Sequence, residues 1–325
     1  MYKLENKNTT VSVSAYGAMT TVCFHTEKGD VSPLFQRDWG AIEDIFMRNL
    51  KGEFFASPFG AFPENYENLP ENWRKNRIVR EGKAEYAHGY GAHHIWNLCS
   101  QKSEQIVLEI QYPGAPIEKV QRTITITPKG FRMQVEDRIF IGKDGEITSG
   151  IHPMFRLSET PGKTKITMPS CERICTYPMD LDESSSFKPD IWVEDLHAVP
   201  LKAAGKRIDA ACLPFEQHSE DLLLLCNVTD PSFTIENTEE DYKVRMTWDT
   251  EELKHCVLWF SNRGRTFAPW NGTNVCLGVE PVTSAFDFGI ELSGRNNPLN
   301  EAGYRTIREE KKGEILSLKH TIELL

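Results

Sequence analysis

Three segments of this chain combine residues that move protons with neighbours that fix where they point. His88-Gly89 opens the string His-Gly-Tyr-Gly-Ala-His-His-Ile-Trp, which ends at Trp96 and holds three histidines. Imidazole donates or accepts a proton near neutral pH, and the adjacent glycine lets another backbone or a ligand approach closely. His152 stands in Gly150-Ile151-His152-Pro153-Met154-Phe155. The proline after it disfavours helix and holds it extended, so its side chain has a set direction. Glu280 interrupts the apolar run Leu277-Gly278-Val279-Glu280-Pro281-Val282. Burial raises a carboxylate's pKa and suits it to general-base work near neutrality. Each has a plainer reading: solvated loop histidines, a hydrogen-bonded structural histidine, and a glutamate paired with arginine.

These residues need a frame, and period-two alternation supplies it. Phe131, Met133, Val135, Ile139 and Ile141 face one way, with Arg132, Gln134, Glu136 and Arg138 between them, as in a half-buried strand. The pattern recurs at Ile106, Leu108, Ile110 and Tyr112, at Tyr242, Val244, Met246 and Trp248, and at Leu316, Leu318, Ile322 and Leu324. Pro128-Lys129-Gly130, Gly142-Lys143-Asp144-Gly145 and Pro161-Gly162 mark turns between such segments, predicting a mainly antiparallel, all-β chain. No long apolar stripe at helical spacing occurs; residues 36–50 hold at most a turn or two of helix. Residues 57–86 and 177–207, rich in Pro, Asn, Glu and Ser, read as long rim loops. With no repeat, linker or shift in composition, the expectation is a single domain over 1–325.

Composition excludes several classes. A formal net charge of −10, without a dense Lys/Arg run, argues against nucleic acid and anionic membranes as partners. The start of the chain lacks the apolar stretch of a signal peptide, and the longest apolar run, 222–226, is too short to span a bilayer, so a cytoplasmic location is expected. Eight scattered cysteines read as reduced thiols, and no second pair accompanies Cys171 and Cys175 at zinc-ligand spacing, so no metal site is expected.

Taken in order, Asn76-Arg77-Ile78, His88-Gly89, His152-Pro153-Met154-Phe155 and Val279-Glu280-Pro281 resemble the motif series of aldose 1-epimerases (galactose mutarotase-like proteins), across most of the chain. The resemblance implies a β-supersandwich of large antiparallel sheets with an open cleft for a small sugar, needing neither metal nor organic cofactor. By position it makes Glu280 the base at the anomeric hydroxyl and His152 the acid at the ring oxygen. It gives His88 an assisting role there and makes Arg77, beside Asn76, a holder of sugar hydroxyls.

Two departures qualify the substrate. The family's hydroxyl-binding aspartate has no clean copy; Asp209 is the best candidate, with Asp180 and Asp182 as rivals. Ala92 stands where members acting on phosphorylated hexoses often carry arginine, which favours an unphosphorylated sugar; Arg74, Arg80, Arg263 and Arg265 are candidates to replace that cation, against their plainer reading as solvated surface charges. Trp73, Tyr177, Trp192, Phe267 and Trp270 are candidates for a sugar-stacking surface, with Trp270 foremost. The competing functions are a non-catalytic sugar-binding or sensing protein on the same scaffold, and an isomerase, epimerase or lyase of a modified or phosphorylated sugar. The sequence leaves the oligomeric state open.

Overall fold

Alternating apolar residues become antiparallel ladders in the computed structural model, which describes residues 1–75, 77, 86–294 and 296–325. Ile117–Ile126, Arg132–Ile141, Ile315–Leu324 and Tyr242–Trp248 lie at the centre of a nine-stranded sheet. Ser219–Val228, His255–Asn262 and Val275–Thr283 run side by side in an eight-stranded sheet, which continues through Ser149–Ile151 to Phe55–Ala56. A four-stranded sheet, from Tyr2–Glu5 to Gly29–Val31, lies at the start of the chain. The all-β reading of the sequence is the observed architecture.

The helix anticipated within residues 36–50 is the short Ile45–Asn49, capped by the Asp44 carboxylate, which accepts from the Met47 N–H at 3.0 Å. Among the described residues no helix is long and apolar enough to cross a membrane. All eight cysteines are free thiols.

Strands of the eight-stranded sheet are buried on both faces, which divides their side chains between two apolar clusters. Val275, Leu277 and Val279 point into the cluster shared with Val135, Ile322 and Leu4. Cys276 and Val282 point the other way, towards Phe54, Trp259 and Trp270. Glu280, in step with Cys276 and Val282, belongs to this second face.

The alternation in the sequence has two gaps, at 137 and 320, and the structure fills both with buried polar groups. Arg122, Asp137 and His320 occupy core-facing positions of three neighbouring strands, Arg122 paired directly with Asp137. Glu53, from the segment leading into Phe55–Ala56, completes the cluster: the Arg122 guanidinium donates to both its oxygens, and His320 Nε2 lies 3.5 Å from it. Asp137 lies 3.5 Å from Arg122 without a formed hydrogen bond. Side chains of all four are fully excluded from solvent. Burial opposes the charge on Glu53, but Arg122 and His320 win and hold it down at about 2. For Asp137 burial wins over Arg122, and its carboxyl is pushed up to about 6.

Removing Arg122 leaves buried carboxylates uncompensated, so Arg122→Met is expected to cost ~3–5 kcal/mol, read from the urea midpoint. The carboxyls have opposite linkage. Glu53 stabilises fully above its ordinary value of 4.5 and loses this as pH falls towards 2; Asp137 stabilises below its ordinary 3.8 and loses this as pH rises through about 6. Asp137→Asn, which mimics the protonated form, should therefore gain stability relative to wild type as pH rises from about 4 to about 7.

Candidate active site

Glu280 and His152 meet because two proline-containing strands lie opposite each other. Gly150 pairs with Val282, and Met154 with Gly278, so the register between them sets His152 across from Glu280. Pro153 and Pro281 remove two N–H donors from this stretch of ladder. The two side chains emerge on one face, with His152 Nε2 3.4 Å from Glu280 Oε1. Space for that carboxylate depends on Gly278: a Cβ there would stand 2.1 Å from Glu280 Oε1 and 3.0 Å from the Trp259 Cβ.

The imidazole is held from two sides. Its backbone N–H donates to the Phe54 carbonyl at 2.8 Å, and its ring stacks on the Phe54 ring at 4.6 Å. Phe54 follows Glu53 in the chain, so the buried ion cluster and the His152 platform lie on opposite sides of one strand segment.

His88 approaches edge-on, its ring 4.8 Å from that of His152 and nearly perpendicular. Its φ of +61° and the +83° of Gly89 turn the chain sharply, and a Cβ on Gly89 would lie 1.9 Å from the Ser57 carbonyl oxygen. The glycine is needed for the close approach of a second backbone, as its place beside a histidine suggested. The Gly60 N–H donates to His88 Nδ1 at 3.4 Å, leaving the ring proton on Nε2.

Together these groups line a cleft of about 110 Å³. Trp259, Trp270, Arg265 and Asp287 also line it, as do Phe46, Met47, Leu50, Leu181 and Leu222. Burial, reinforced by the charge on Asp287, holds the Glu280 carboxyl well above the usual carboxylate range. Burial drives His152 down to about 4 and, helped by His152 itself, puts His88 well below its ordinary value. Glu280 Oε1 and His152 Nδ1 accept or donate no hydrogen bond within the protein. A carboxyl held high beside an imidazole held low can take up a proton at one atom of a ligand and return one at the next.

Arg77 and Asp209 lie elsewhere. Arg77 pairs with Glu291 at 3.0 Å and lies over the Phe62 ring at 4.0 Å, bordering a separate groove that reaches Ala87, next to His88. Asn76 and Arg80 are outside the described residues. Asp209 is bound to His197 at 3.0 Å and to the Ala211 N–H, away from the cleft. Its rivals are also engaged, Asp180 with Lys202 and Asp182 with the Ser184 N–H. Of the loop aromatics Trp270 lines the cleft, while Trp192 carries Arg173 over its ring and Phe267 is exposed.

The reading of Arg265 as a solvated charge is corrected: its guanidinium lies over Trp270 at 4.8 Å and Trp259 at 5.4 Å, with buried Glu220 at 3.8 Å. Asp287, missed in the sequence, is bonded to Tyr177, and burial pushes its carboxyl up. An acid set between Phe286 and Phe288 was the available signal.

No protein-family model matches the sequence, and no curated protein matches it either. The fold, by contrast, is that of galactose mutarotase-like proteins. A candidate aldose 1-epimerase from Escherichia coli K12 superposes with a TM-score of 0.65 at 15% identity, covering 100% of this chain and 98% of that one. A galactose mutarotase related enzyme from Lactobacillus acidophilus gives 0.63 at 13%, covering 100% and 97%. A GalM/aldose epimerase homologue from C. elegans gives 0.59 at 13%, covering 99% and 98%.

Two outcomes check the site. In NMR titration the His152 ring should show a midpoint near 4. Gly278→Ala should leave the fold intact, by circular dichroism, while displacing the Glu280 carboxylate and shifting the His152 resonances.

Proposed function

We propose that the protein is an aldose 1-epimerase that interconverts the anomers of a free aldose, with Glu280 and His152 as the acid–base pair and His88 assisting. The observation that carries this is the 3.4 Å approach of Glu280 Oε1 to His152 Nε2 in a cleft also lined by Trp259 and Trp270. O1 and O5 of a pyranose share the anomeric carbon, so a base and an acid this close can serve both at once.

The singly protonated pair keeps its proton mainly on Glu280; the reactive state is the minor form in which that proton lies on His152. Glu280 takes the proton from O1 while His152 gives its proton to O5; the C1–O5 bond breaks and C1 becomes the aldehyde carbon. Rotation about C1–C2 and reversal of both transfers give the other anomer. The His88 Nε2–H supports the ring oxygen as it gains charge. We assign hydroxyl binding to Arg265 and Asp287, which share the cleft with the pair, in place of the expected Arg77 and Asp209. The steps call for no metal or cofactor. The tryptophan faces suit the C–H faces of a sugar. A non-catalytic sugar-binding protein is the second reading, favoured by the distance of Arg77 and Asp209 from the cleft; it predicts saturable binding with anomer exchange at the buffer rate.

Glu280→Gln should reduce the anomerisation of α-D-glucose, α-D-galactose or other aldoses by about 10²–10⁴-fold, with the circular dichroism spectrum unchanged; full activity in this variant would sink the assignment. Because the singly protonated pair is the active form, kcat/KM should be bell-shaped in pH, with the acid limb near 4 and the alkaline limb set by the raised carboxyl. The negative charge of Asp287 raises Glu280, so Asp287→Asn should move the alkaline limb to lower pH.

A further inference from the structure

The register of the eight-stranded sheet sets a second buried carboxylate on the face that carries Glu280. Leu222 pairs with Trp259 and Trp259 with Gly278; one row further along, Glu220 pairs with Ser261 and Ser261 with Cys276. Alternate residues of a strand share a face, so Glu220 and Glu280 stand on the same side of the sheet with the Trp259 row between them. Glu220 is fully excluded from solvent and does not itself line the cleft.

Its carboxylate is held at both oxygens. Oε2 accepts from the Trp259 indole N–H at 3.0 Å and Oε1 from the Ser261 hydroxyl at 2.7 Å. The Asn274 side-chain amide donates to Ser261 Oγ at 2.7 Å, which commits the hydroxyl's own proton to Glu220. Arg265 Nε lies 3.8 Å from Oε2. This approach depends on Gly264, where a Cβ would stand 2.6 Å from Glu220 Cγ and 2.7 Å from the Ser219 carbonyl carbon. Replacing a buried ion pair by apolar residues is often neutral or stabilising, so stability alone does not account for a carboxylate here.

Both groups that Glu220 holds from behind line the cleft. The Trp259 ring meets those of His152 and Trp270 edge-on, each at 6.1 Å, and Arg265 lies over the two indoles. A ring tied at its N–H and a long cation tied at its guanidinium have less freedom left to lose when a ligand binds.

We propose that Glu220 is a positioning residue for sugar binding: buried outside the cleft, it holds the Trp259 ring and the Arg265 guanidinium in the orientation that receives the sugar. This rests on the reading of the cleft as a sugar site with Arg265 as a hydroxyl donor. Neither of the held groups transfers a proton, so Glu220 acts on binding and not on the chemical step.

Glu220→Gln keeps an acceptor for the Trp259 N–H but removes the charge facing Arg265. It should weaken Kd and raise KM for D-glucose, D-galactose or D-mannose about fivefold to tenfold, with Kd read from tryptophan fluorescence and anomerisation followed by NMR. It should leave kcat within about twofold and both limbs of its pH profile in place. In an Arg265→Gln background the same substitution should change Kd by less than about twofold, because the group it acts through is gone. If circular dichroism shows Glu220→Gln unfolded, Ser261→Ala, which releases one carboxylate oxygen and keeps the charge, carries the test with an expected rise in Kd of about threefold.

An unchanged Kd, a loss confined to kcat, or an equal effect in both Arg265 backgrounds overturns the proposal, even where the wild type accelerates anomerisation and the catalytic reading stands. A coupled loss of sugar affinity in a protein that leaves anomer exchange at the buffer rate keeps the role of Glu220 and removes the catalytic reading. Absence of binding by all three sugars overturns both.

Discussion

The structure depends on one buried electrostatic cluster. Arg122, Asp137 and His320 project from the nine-stranded sheet at positions an ordinary core would fill with Val or Ile, and Glu53 reaches them from the segment that enters the other sheet. Burying charge carries a large desolvation cost, offset only if each partner is held in place. The cluster therefore specifies where Glu53 must lie with a stringency that apolar packing lacks. Its chain neighbours Phe54 and Phe55 are placed in consequence, Phe54 under His152 and Phe55 in the ladder with Ile151. An ion cluster facing one layer thus positions an imidazole facing the other.

Glycine and proline shape the remainder of the site. Pro153 and Pro281 open the ladder where His152 opposes Glu280, and Gly278 provides room for the carboxylate to lie over its own strand. The resulting environment excludes water from both groups and drives their proton affinities apart. That separation gives a carboxyl and an imidazole complementary tasks at the same pH.

Much of this was legible in the sequence. The strands of the nine-stranded sheet followed from alternation, because burial on one face imposes period two, whereas Ser219–Val228 and His255–Asn262, buried on both faces, carry no such signal. His88, His152 and Glu280 stood out because proton-moving groups lay beside glycine or proline, and the structure brings all three together. Arg77 and Asp209 were selected by position along the chain, which does not reveal that Glu291 and His197 already hold them. Arg265 looked like an ordinary surface cation, since nothing local announces that two indoles and Glu220 surround it. The ion cluster was visible only as missing beats in two alternations: a polar residue on a core face differs from one on a solvent face only by partners far away in the chain.

The loop around Gly60 joins groups that the sequence keeps far apart. Gly60 donates to His88 Nδ1 and accepts from the His88 backbone N–H at 3.0 Å, while the next residue, Ala61, donates to the Asp287 carbonyl at 2.8 Å. Gly60 also lies so close to Asp287 that a Cβ would stand 1.7 Å from its carbonyl oxygen. A proton donor on one wall and a carboxylate on the other thus share a single support. If that support opens, both are released together, so local unfolding dismantles the site as one cooperative unit rather than wearing it away residue by residue.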